Sequence, residues 1–270
     1  MSTLGVDLLT SDAPPVTGLA LQVIDLRVDY GPKRAVDGVS LEINEGEIFG
    51  LLGPNGAGKT STLSAIEGLL EPASGSILVR EVDVRAQPGL AKSLIGVQLQ
   101  STSFQSELKI SEILKLYAGL YGVPLTRTAI FDRLTEIHLG DEGSRRFSQL
   151  SGGQQKRLSL LIATVHNPPL VLLDEPTSGL DPQARRQLWD RIEGIRKSGR
   201  SILLTTHSME EAQSVCDRVA IMDNGKILTV DTPAGLIEKH RNDPKVLAIA
   251  RGQVTLEDVF IGLTGSELRE

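Results

Sequence analysis

The segment from Leu150 to Pro182 reads L-S-G-G-Q-Q-K-R at its start and L-V-L-L-D-E-P-T-S-G-L-D-P at its end. Ser151 precedes two glycines at the predicted start of a helix, where free backbone N–H groups and the helix dipole favour an anion. The buried strand Leu170 to Leu173 runs into Asp174 and Glu175, two acids that are costly to bury without a cation or a reacting water. An anion site and a metal-and-water site this close in sequence indicate phosphate chemistry.

A second phosphate motif spans residues 53–60, which read G-P-N-G-A-G-K-T and match G-x-x-x-x-G-K-[ST]. The glycines let backbone N–H groups curl around a β-phosphate, Lys59 brings a positive charge to the β and γ oxygens, and Thr60 offers a hydroxyl to Mg²⁺. The alternative is a chance match in a glycine-rich turn. The required context is present, however, because the buried strand Ile48 to Leu52 precedes the motif and a predicted helix from about Lys59 to Leu70 follows it. The motif therefore predicts nucleotide binding.

Composition limits the class of protein. The 270 residues are 40% hydrophobic and 23% charged, which is typical of a soluble chain with one large α/β domain and a smaller lobe or tail. A net charge of −6 with 3% aromatic residues disfavours nucleic acid as the main partner. Cys216 is the only cysteine, which excludes an internal disulfide and a cysteine-based metal site.

Membrane and export signals are not expected in this sequence. No apolar run approaches the roughly 18 residues of a membrane span, and residues 1–17 lack the basic and apolar regions of a secretory signal. Any role at a membrane is therefore expected to come through a partner.

The remaining segments predict the elements around these motifs. Alternating apolar residues before and after Gly31-Pro32 indicate two antiparallel strands of a small sheet, and Ser76 to Val84 has strand character again. Helical spacing in Ser111 to Tyr121, and at Phe131, Leu134 and Ile137, predicts a helical lobe before Leu150. The tail from Thr232 onward is less regular.

Two single residues remain open from the sequence alone. Tyr30 ends a predicted strand, where core packing is favoured over a flat surface for a base. His207 follows the predicted buried strand Ser201 to Thr205, and a structural and a functional role are equally expected. Ser208 and Glu211 form a capping-box pattern for the next helix.

Phosphate-type residues thus follow three predicted strands, at Gly53, Asp174 and His207, and open α/β sheets place ligands at that carboxyl edge. From about Leu21 to Val230 the sequence resembles the ATP-binding subunit of an ABC transporter. The resemblance rests on G-P-N-G-A-G-K-T, L-S-G-G-Q, L-L-D-E-P-T-S-G-L-D and T-T-H, which occur in the family's order.

The resemblance implies an α/β fold: a P-loop NTPase core with a mostly parallel sheet, an N-terminal antiparallel β subdomain and an inserted α-helical lobe. The implied division is a tail at 1–18, an ATP-binding domain at 19–232 with its lobe at about 101–165, and a short C-terminal extension at 233–270.

The resemblance also implies contacts to the cofactors ATP and Mg²⁺. Tyr30 resembles the aromatic residue that stacks on adenine, and the phosphate contacts fall on Gly53, Pro54, Asn55, Gly56, Ala57, Gly58, Lys59, Thr60 and Ser61. The signature contacts to a γ-phosphate fall on Ser151, Gly152, Gly153 and Gln154. Thr60, Gln100 and Asp174 resemble the residues that hold Mg²⁺.

The same resemblance implies an ATPase and assigns its catalytic residues. Glu175 resembles the general base, His207 the switch histidine on the γ-phosphate, and Gln100 the loop glutamine that touches Mg²⁺ and the attacking water. Gln98 lies nearby, and the choice of Gln100 rests on aligning Ile95-Gly96 with the family's strand start. Asp181 resembles the acid at the dimer contact.

The implied partners are a second copy of the chain or a paralogous ATPase subunit, and an integral membrane permease at the cytoplasmic face of the membrane. In the family, the signature of one chain faces the phosphate loop of the other, and the segment Leu108 to Gly122 borders the permease groove. The tail V-T-L-E-D-V-F-I-G-L-T-G at 254–265 resembles that of ATPases serving drug, antibiotic and polysaccharide exporters.

Two alternatives remain. An importer ATPase is opposed only by the tail motif. A soluble ABC protein acting on ribosomes or DNA is disfavoured by the single domain, the lack of a long heptad run and the single cysteine.

Overall fold

The computed structural model describes residues 18–98 and 104–265, which form two β-sheets with helices around them. The strands are β1 (Leu19–Tyr30), β2 (Lys33–Asn44), β3 (Ile48–Leu52), β4 (Ser74–Val79), β5 (Val82–Asp83), β6 (Ile95–Gln98), β7 (Leu170–Asp174), β8 (Ser201–Thr206), β9 (Arg218–Asp223) and β10 (Lys226–Asp231). The α-helices are α1 (Lys59–Ile66), α2 (Pro88–Ser93), α3 (Ile110–Leu120), α4 (Arg127–Thr135), α5 (Gly152–Ala163), α6 (Pro182–Lys197), α7 (Met209–Val215), α8 (Pro233–His240), α9 (Pro244–Leu247) and α10 (Leu256–Thr264).

The N-terminal sheet is antiparallel throughout, with strand order β2-β1-β4-β5. The alternation predicted for β1 and β2 is confirmed, because Leu26, Val28, Val39 and Ile43 are fully buried. The strand character expected for Ser76 to Val84 is confirmed, and the segment is divided into a hairpin of β4 and β5. Its turn residues, Arg80 and Glu81, have φ of 45° and 66°, which suits a two-residue turn whose twist matches the flanking strands.

The central sheet has strand order β10-β9-β3-β8-β7-β6, and every adjacent pair except β9 and β10 is parallel. The β3 side chains fill two cores: Phe49 and Leu51 pack toward the N-terminal sheet, while Ile48 and Leu52 pack toward α6 and α7. Because β3, β8 and β7 are consecutive neighbours, their carboxyl ends lie side by side. This topology brings the three predicted strand ends together.

The predicted helical lobe is formed by α3, α4 and α5 around a core of its own. Helix α4 buries Ile130 and Leu134, whereas Phe131, an expected core residue, is 49% exposed. Helix α5 borders two cores, since Leu158 and Leu161 face the lobe while Leu160 packs against the central sheet. It is the wall shared between the lobe and the sheet.

The segment after β10 is more ordered than its sequence suggests, because it forms α8, α9 and α10. Leu236, Val246, Leu256 and Phe260 are fully buried in the same core as β7 and β8. The division of the chain at residue 232 stays a prediction. Among the helices of residues 18–98 and 104–265, none has the length and apolar character that crossing a membrane requires.

Candidate nucleotide-binding and catalytic site

The phosphate loop joins the end of β3 to the start of α1 and is held in place by neighbouring backbone. A Cβ on Gly53 would lie 2.4 Å from the Met222 carbonyl oxygen, and one on Gly58 would lie 2.5 Å from the Ala35 carbonyl oxygen. Gly58 also has φ of 106°, a conformation that side chains rarely adopt. Only glycine fits here, so the loop packs directly on β2 and on the end of β9.

Lys59 places a positive charge inside this loop. The residue is only 7% exposed, and its Nζ donates to the carbonyl oxygens of Gly53 at 2.5 Å and Pro54 at 3.1 Å. Burial lowers the pKa of Lys59, while the negative charges of Glu175 and Asp174 act in the opposite direction. A loop with a buried ammonium group and the uncapped N-terminus of α1 is built to receive an anion.

Tyr30 lies beside this loop. Its side chain is not part of the core, since the residue is 51% exposed, and the core-packing interpretation from sequence alone was therefore wrong. Its hydroxyl lies 3.4 Å from the Ser61 hydroxyl in the first turn of α1. An exposed aromatic ring next to a phosphate loop offers a surface for a base.

Asp174 ends β7, Glu175 follows it, and the two residues share one buried hydroxyl on β8. Thr205 Oγ1 donates to Asp174 Oδ1 at 2.5 Å and accepts from the Glu175 backbone N–H at 3.0 Å. Glu175 has φ of 45°, a left-handed conformation that costs a non-glycine residue on the order of 1–3 kcal/mol. The strain is maintained because the Thr205 bond and the following turn fix the backbone, which holds the Glu175 carboxylate at the sheet edge.

His207 follows β8 directly and faces Glu175. Its Nδ1 lies 3.4 Å from Glu175 Oε1, and its side chain is 52% exposed while that of Glu175 is only 14% exposed. The two residues that the sequence proposed for catalysis are thus adjacent, with the histidine reaching toward solvent. Such a group can contact a phosphate held over the loop.

The signature residues lie at the N-terminus of α5. Ser151 Oγ accepts from the Gln154 backbone N–H at 3.3 Å, and Gln154 Oε1 accepts from the Ser151 N–H at 2.9 Å, which completes a capping box. The first turn of α6 packs closely against this end of α5, since a Cβ on Gly153 would lie 2.9 Å from the Cβ of Ala184. A cavity of about 450 Å³ lies between this end of α5 and the turn that carries Asp181, and its lining does not include the phosphate loop.

Gln100 lies outside the described residues, so its predicted roles toward Mg²⁺ and water stay predictions. Gln98, the neighbouring candidate, ends β6 and is fully buried. Neither of its side-chain polar atoms has a hydrogen-bond partner among the described residues, and this side chain is enclosed rather than exposed to a ligand.

The donors near the phosphate loop suit magnesium. No group of three or more His, Cys, Asp or Glu side chains could hold a metal within the described ranges. Mg²⁺ is usually bound by one or two protein oxygens together with waters and substrate phosphates. The Thr60 hydroxyl and the Asp174 carboxylate match that donor set.

Two groups that act on the acids, buried Thr205 and half-buried Lys156, were not singled out from sequence. Thr205 resembles an ordinary β-branched strand residue, and only its place in T-T-H marks it. Lys156 lies on α5, where burial lowers the pKa of its ammonium group while Asp174 and Glu175 act in the opposite direction. The charges of both acids therefore act on two lysines, Lys59 and Lys156.

A phosphate loop after β3 and paired acids after β7, at one edge of a parallel sheet, define a P-loop nucleotide hydrolase. The comparisons with known proteins narrow this class. Residues 36–178 match the family model described as ABC transporter. The chain belongs to the ABC transporter ATP-binding family.

Relatives and solved structures agree with this assignment. The chain is 39% identical over 222 residues to Nod factor export ATP-binding protein I of Rhizobium etli, covering 82% of this chain and 70% of the relative. It is 36% identical over 301 residues to the protein of that name from Cupriavidus metallidurans, covering 93% and 99%. An ATP-binding subunit of an ABC transporter superposes with a TM-score of 0.78 at 28% identity, covering 90% of this chain and 99% of that one.

The family, the fold class and the ATPase activity expected from the sequence are thereby confirmed. An ATP-binding cassette in its ADP conformation, at 24% identity and a TM-score of 0.75, supports the fold alone.

Proposed function

We propose that this chain is the ATP-hydrolysing subunit of an exporter and that its site residues act as the sequence predicts. The observation that carries the proposal is the meeting of Lys59, the Asp174–Glu175 pair and His207 at three neighbouring strand ends. Nucleotide phosphates bind over residues 53–61, where Lys59 and the N-terminus of α1 offset their charge. The Tyr30 ring stacks on the base.

The hydrolytic step follows from the position of Glu175. Its carboxylate takes a proton from water as the water oxygen attacks the γ-phosphorus, and the bond from that phosphorus to the bridging oxygen of ADP breaks. His207 contacts the γ-phosphate and orients Glu175. Mg²⁺ held by Thr60 and Asp174 would offset charge on the β and γ oxygens, with Gln100 as the further predicted ligand.

The site is completed by a second chain, either another copy or a paralogous subunit. The signature residues Ser151 to Gln154 line a cavity apart from the phosphate loop of their own chain. In a head-to-tail pair they close over the partner's γ-phosphate. Moving a two-state equilibrium from 1:99 to 99:1 takes about 5.5 kcal/mol of differential binding, which two ATP molecules shared between both chains supply and hydrolysis removes.

Exposed apolar side chains support a permease partner. Leu116, Leu120 and Tyr121 on or next to α3 are exposed, as are Leu69 after α1 and Leu90 on α2. Exposed apolar side chains that lie together on a surface mark an interaction site, and the α3 residues belong to the segment Leu108 to Gly122 that borders the permease groove in the family. Docking there places the chain at the cytoplasmic face of a membrane, and an integral permease carries the transport path.

Export is favoured by the names of the relatives and by the tail motif, which forms α10. The exported compound is a drug, lipid, polysaccharide or similar molecule. Its exact identity is set by the permease. An importer ATPase is the alternative. Reconstitution with the copurified permease in vesicles decides the direction, because an exporter moves substrate away from the side that carries this subunit.

The substitution Glu175→Gln tests the catalytic assignment. The amide keeps the shape of the side chain and cannot accept the proton, so ATP binding persists while turnover falls by about a thousand-fold or more. The variant forms a dimer in ATP by gel filtration with light scattering. Turnover near the wild-type rate would show that Glu175 is not the base.

A further inference from the structure

The carboxylate of Glu211 joins three elements behind the catalytic edge. Its Oε2 accepts from Thr177 Oγ1 at 2.7 Å and from Thr206 Oγ1 at 3.2 Å. Its Oε1 lies 3.4 Å from Arg185 Nε. The partners come from the turn after β7, the last residue of β8 and the first turn of α6, and Glu211 itself is only 6% exposed.

The Glu211 carboxylate does not take the capping-box role that its sequence position predicts. Ser208 and Glu211 form only half of the expected capping box. The Ser208 Oγ accepts from the Glu211 N–H at 3.3 Å, but the Ser208 N–H donates to Thr206 Oγ1 at 3.0 Å rather than to Glu211. The expectation of a full box was wrong because the carboxylate bonds to buried hydroxyls inside the protein.

The two hydroxyls lie beside the residues proposed for catalysis. Thr177 is two residues after Glu175, and Thr206 immediately precedes His207. His207 Nδ1 lies 3.4 Å from Glu175 Oε1. The Glu211 carboxylate therefore bonds to a residue that neighbours each member of this pair. Arg185 extends the connection to α6, whose N-cap is Asp181.

We propose that Glu211 is a positioning residue for ATP hydrolysis. It sets the spacing between Glu175 and His207 without touching the nucleotide, and it couples that spacing to the turn that carries Asp181. The inference rests on the catalytic roles proposed above for Glu175 and His207. A charged acceptor that receives two buried hydroxyl donors is stronger than a neutral one, and misplacing catalytic groups by a fraction of an ångström is sufficient to slow the reaction.

Glu211→Gln tests the proposal. The amide keeps the volume but loses the charge, and its NH2 group faces either the two threonine hydroxyls or Arg185, so one of these two sets of donors loses its acceptor. We expect kcat to fall about ten-fold while the KM for ATP changes by less than about two-fold. Glu210→Gln is the matched control, because it makes the same chemical change on an exposed residue of the same helix. Thr206→Val removes one of the two hydroxyls and serves as a second, milder variant.

The positioning role of Glu211 can also be measured without ATP hydrolysis. The imidazole resonance of His207, assigned with His207→Ala, should shift in Glu211→Gln and in Thr206→Val but not in Glu210→Gln. The double variant Glu211→Gln/Thr206→Val should lose no more kcat than Glu211→Gln alone, because both substitutions break one network.

The outcomes separate this inference from the proposed site. Additive losses, an unmoved His207 resonance, or a kcat equal to that of Glu210→Gln overturns the positioning role. An active Glu175→Gln enzyme instead overturns the catalytic assignment, whether or not the His207 resonance moves.

Discussion

Thr205 shows how one hydroxyl organises the acidic edge of the sheet. It satisfies both Asp174 and the backbone of Glu175 within a fully buried position. Thr205→Val keeps the shape but leaves a carboxylate oxygen and an N–H without their partner. We expect a loss of about 1–3 kcal/mol in the free energy of unfolding, measured with urea, together with slower turnover.

Thr205→Ser is the matched control, since it keeps the hydroxyl and removes one methyl group. It should retain most of the turnover of the wild type. If the valine variant matched the serine variant in both stability and kcat, the shared hydroxyl would have no organising role.

Glu67 is a buried acid at the end of α1. Burial, with a smaller contribution from the Asp174 charge, raises the pKa of Glu67 from its ordinary 4.5 to about 7. Between these values the folded state binds more protons than the unfolded state, so stability falls as pH rises. Glu67→Gln cannot ionise, and its stability advantage over the wild type should grow from about pH 5 to about pH 8.

Urea unfolding at several pH values measures this difference. Glu71→Gln is the control, because the Glu71 side chain is largely exposed and its effect should stay nearly constant with pH. A Glu67→Gln advantage that is equal at both ends of the range would contradict the raised pKa.

At the residue scale, the sequence predicted which residues meet at the site better than it predicted the exposure and hydrogen-bond partners of single residues. Glu175 and His207 were predicted to share an edge because strand ends meet there, and they do. Tyr30 was interpreted as a core residue, since exposure at the end of a strand depends on whether a neighbouring element covers it. The role of Thr205 was missed because its partners are distant in sequence. Glu211 was assigned to a capping box, although its carboxylate bonds to Thr177 and Thr206.

At the scale of the element, the phosphate loop is shaped by its neighbours as much as by its own glycines. Gly58→Ala adds a Cβ 2.5 Å from the Ala35 carbonyl oxygen at a position with φ of 106°. Gly56→Ala meets φ of 83° but nothing within 4 Å. The first change combines a clash with strain, while the second brings strain alone, at a cost of about 1–2 kcal/mol.

We therefore expect Gly58→Ala to lose more unfolding free energy than Gly56→Ala and to weaken ATP binding more strongly in calorimetry. Equal effects of the two substitutions would show that packing against β2 does not shape the loop.

Element type was predictable from periodicity, while boundaries were not. The segment from Ser76 to Val84 alternates like one strand, yet two residues with positive φ turn it into a hairpin. Phe131 fits a helical stripe by spacing, but the orientation of α4 is set by packing of Ile130 and Leu134 against the lobe core. Such packing depends on contacts between elements, so it cannot be predicted from the sequence of one segment.

At the scale of the whole molecule, α5 connects the signature to both the lobe and the sheet. Leu150 and Phe147 before it and Leu161 within it belong to the lobe core, while Leu160 belongs to the core under β7 and β8. The helix that carries Ser151 therefore rests on the same core as the acids. In the proposed pair, the state of one site can thus be passed mechanically to the other.

Mixing two inactive variants tests the shared site most directly. Lys59→Ala removes the charge from the phosphate loop, and Ser151→Ala removes the signature hydroxyl together with an N-cap worth about 1 kcal/mol. In a head-to-tail dimer of one chain of each kind, one site carries both defects and the other carries neither. The wild-type loop and the wild-type signature meet in that second site.

The ATPase rate of an equimolar mixture is the decisive measurement. Random pairing makes half of the dimers mixed, so activity should rise toward about one quarter of the wild-type rate, above the average of the two variants alone. If each chain instead completed its own site, the mixture would show only that average, and the account of a site shared between two chains would be contradicted.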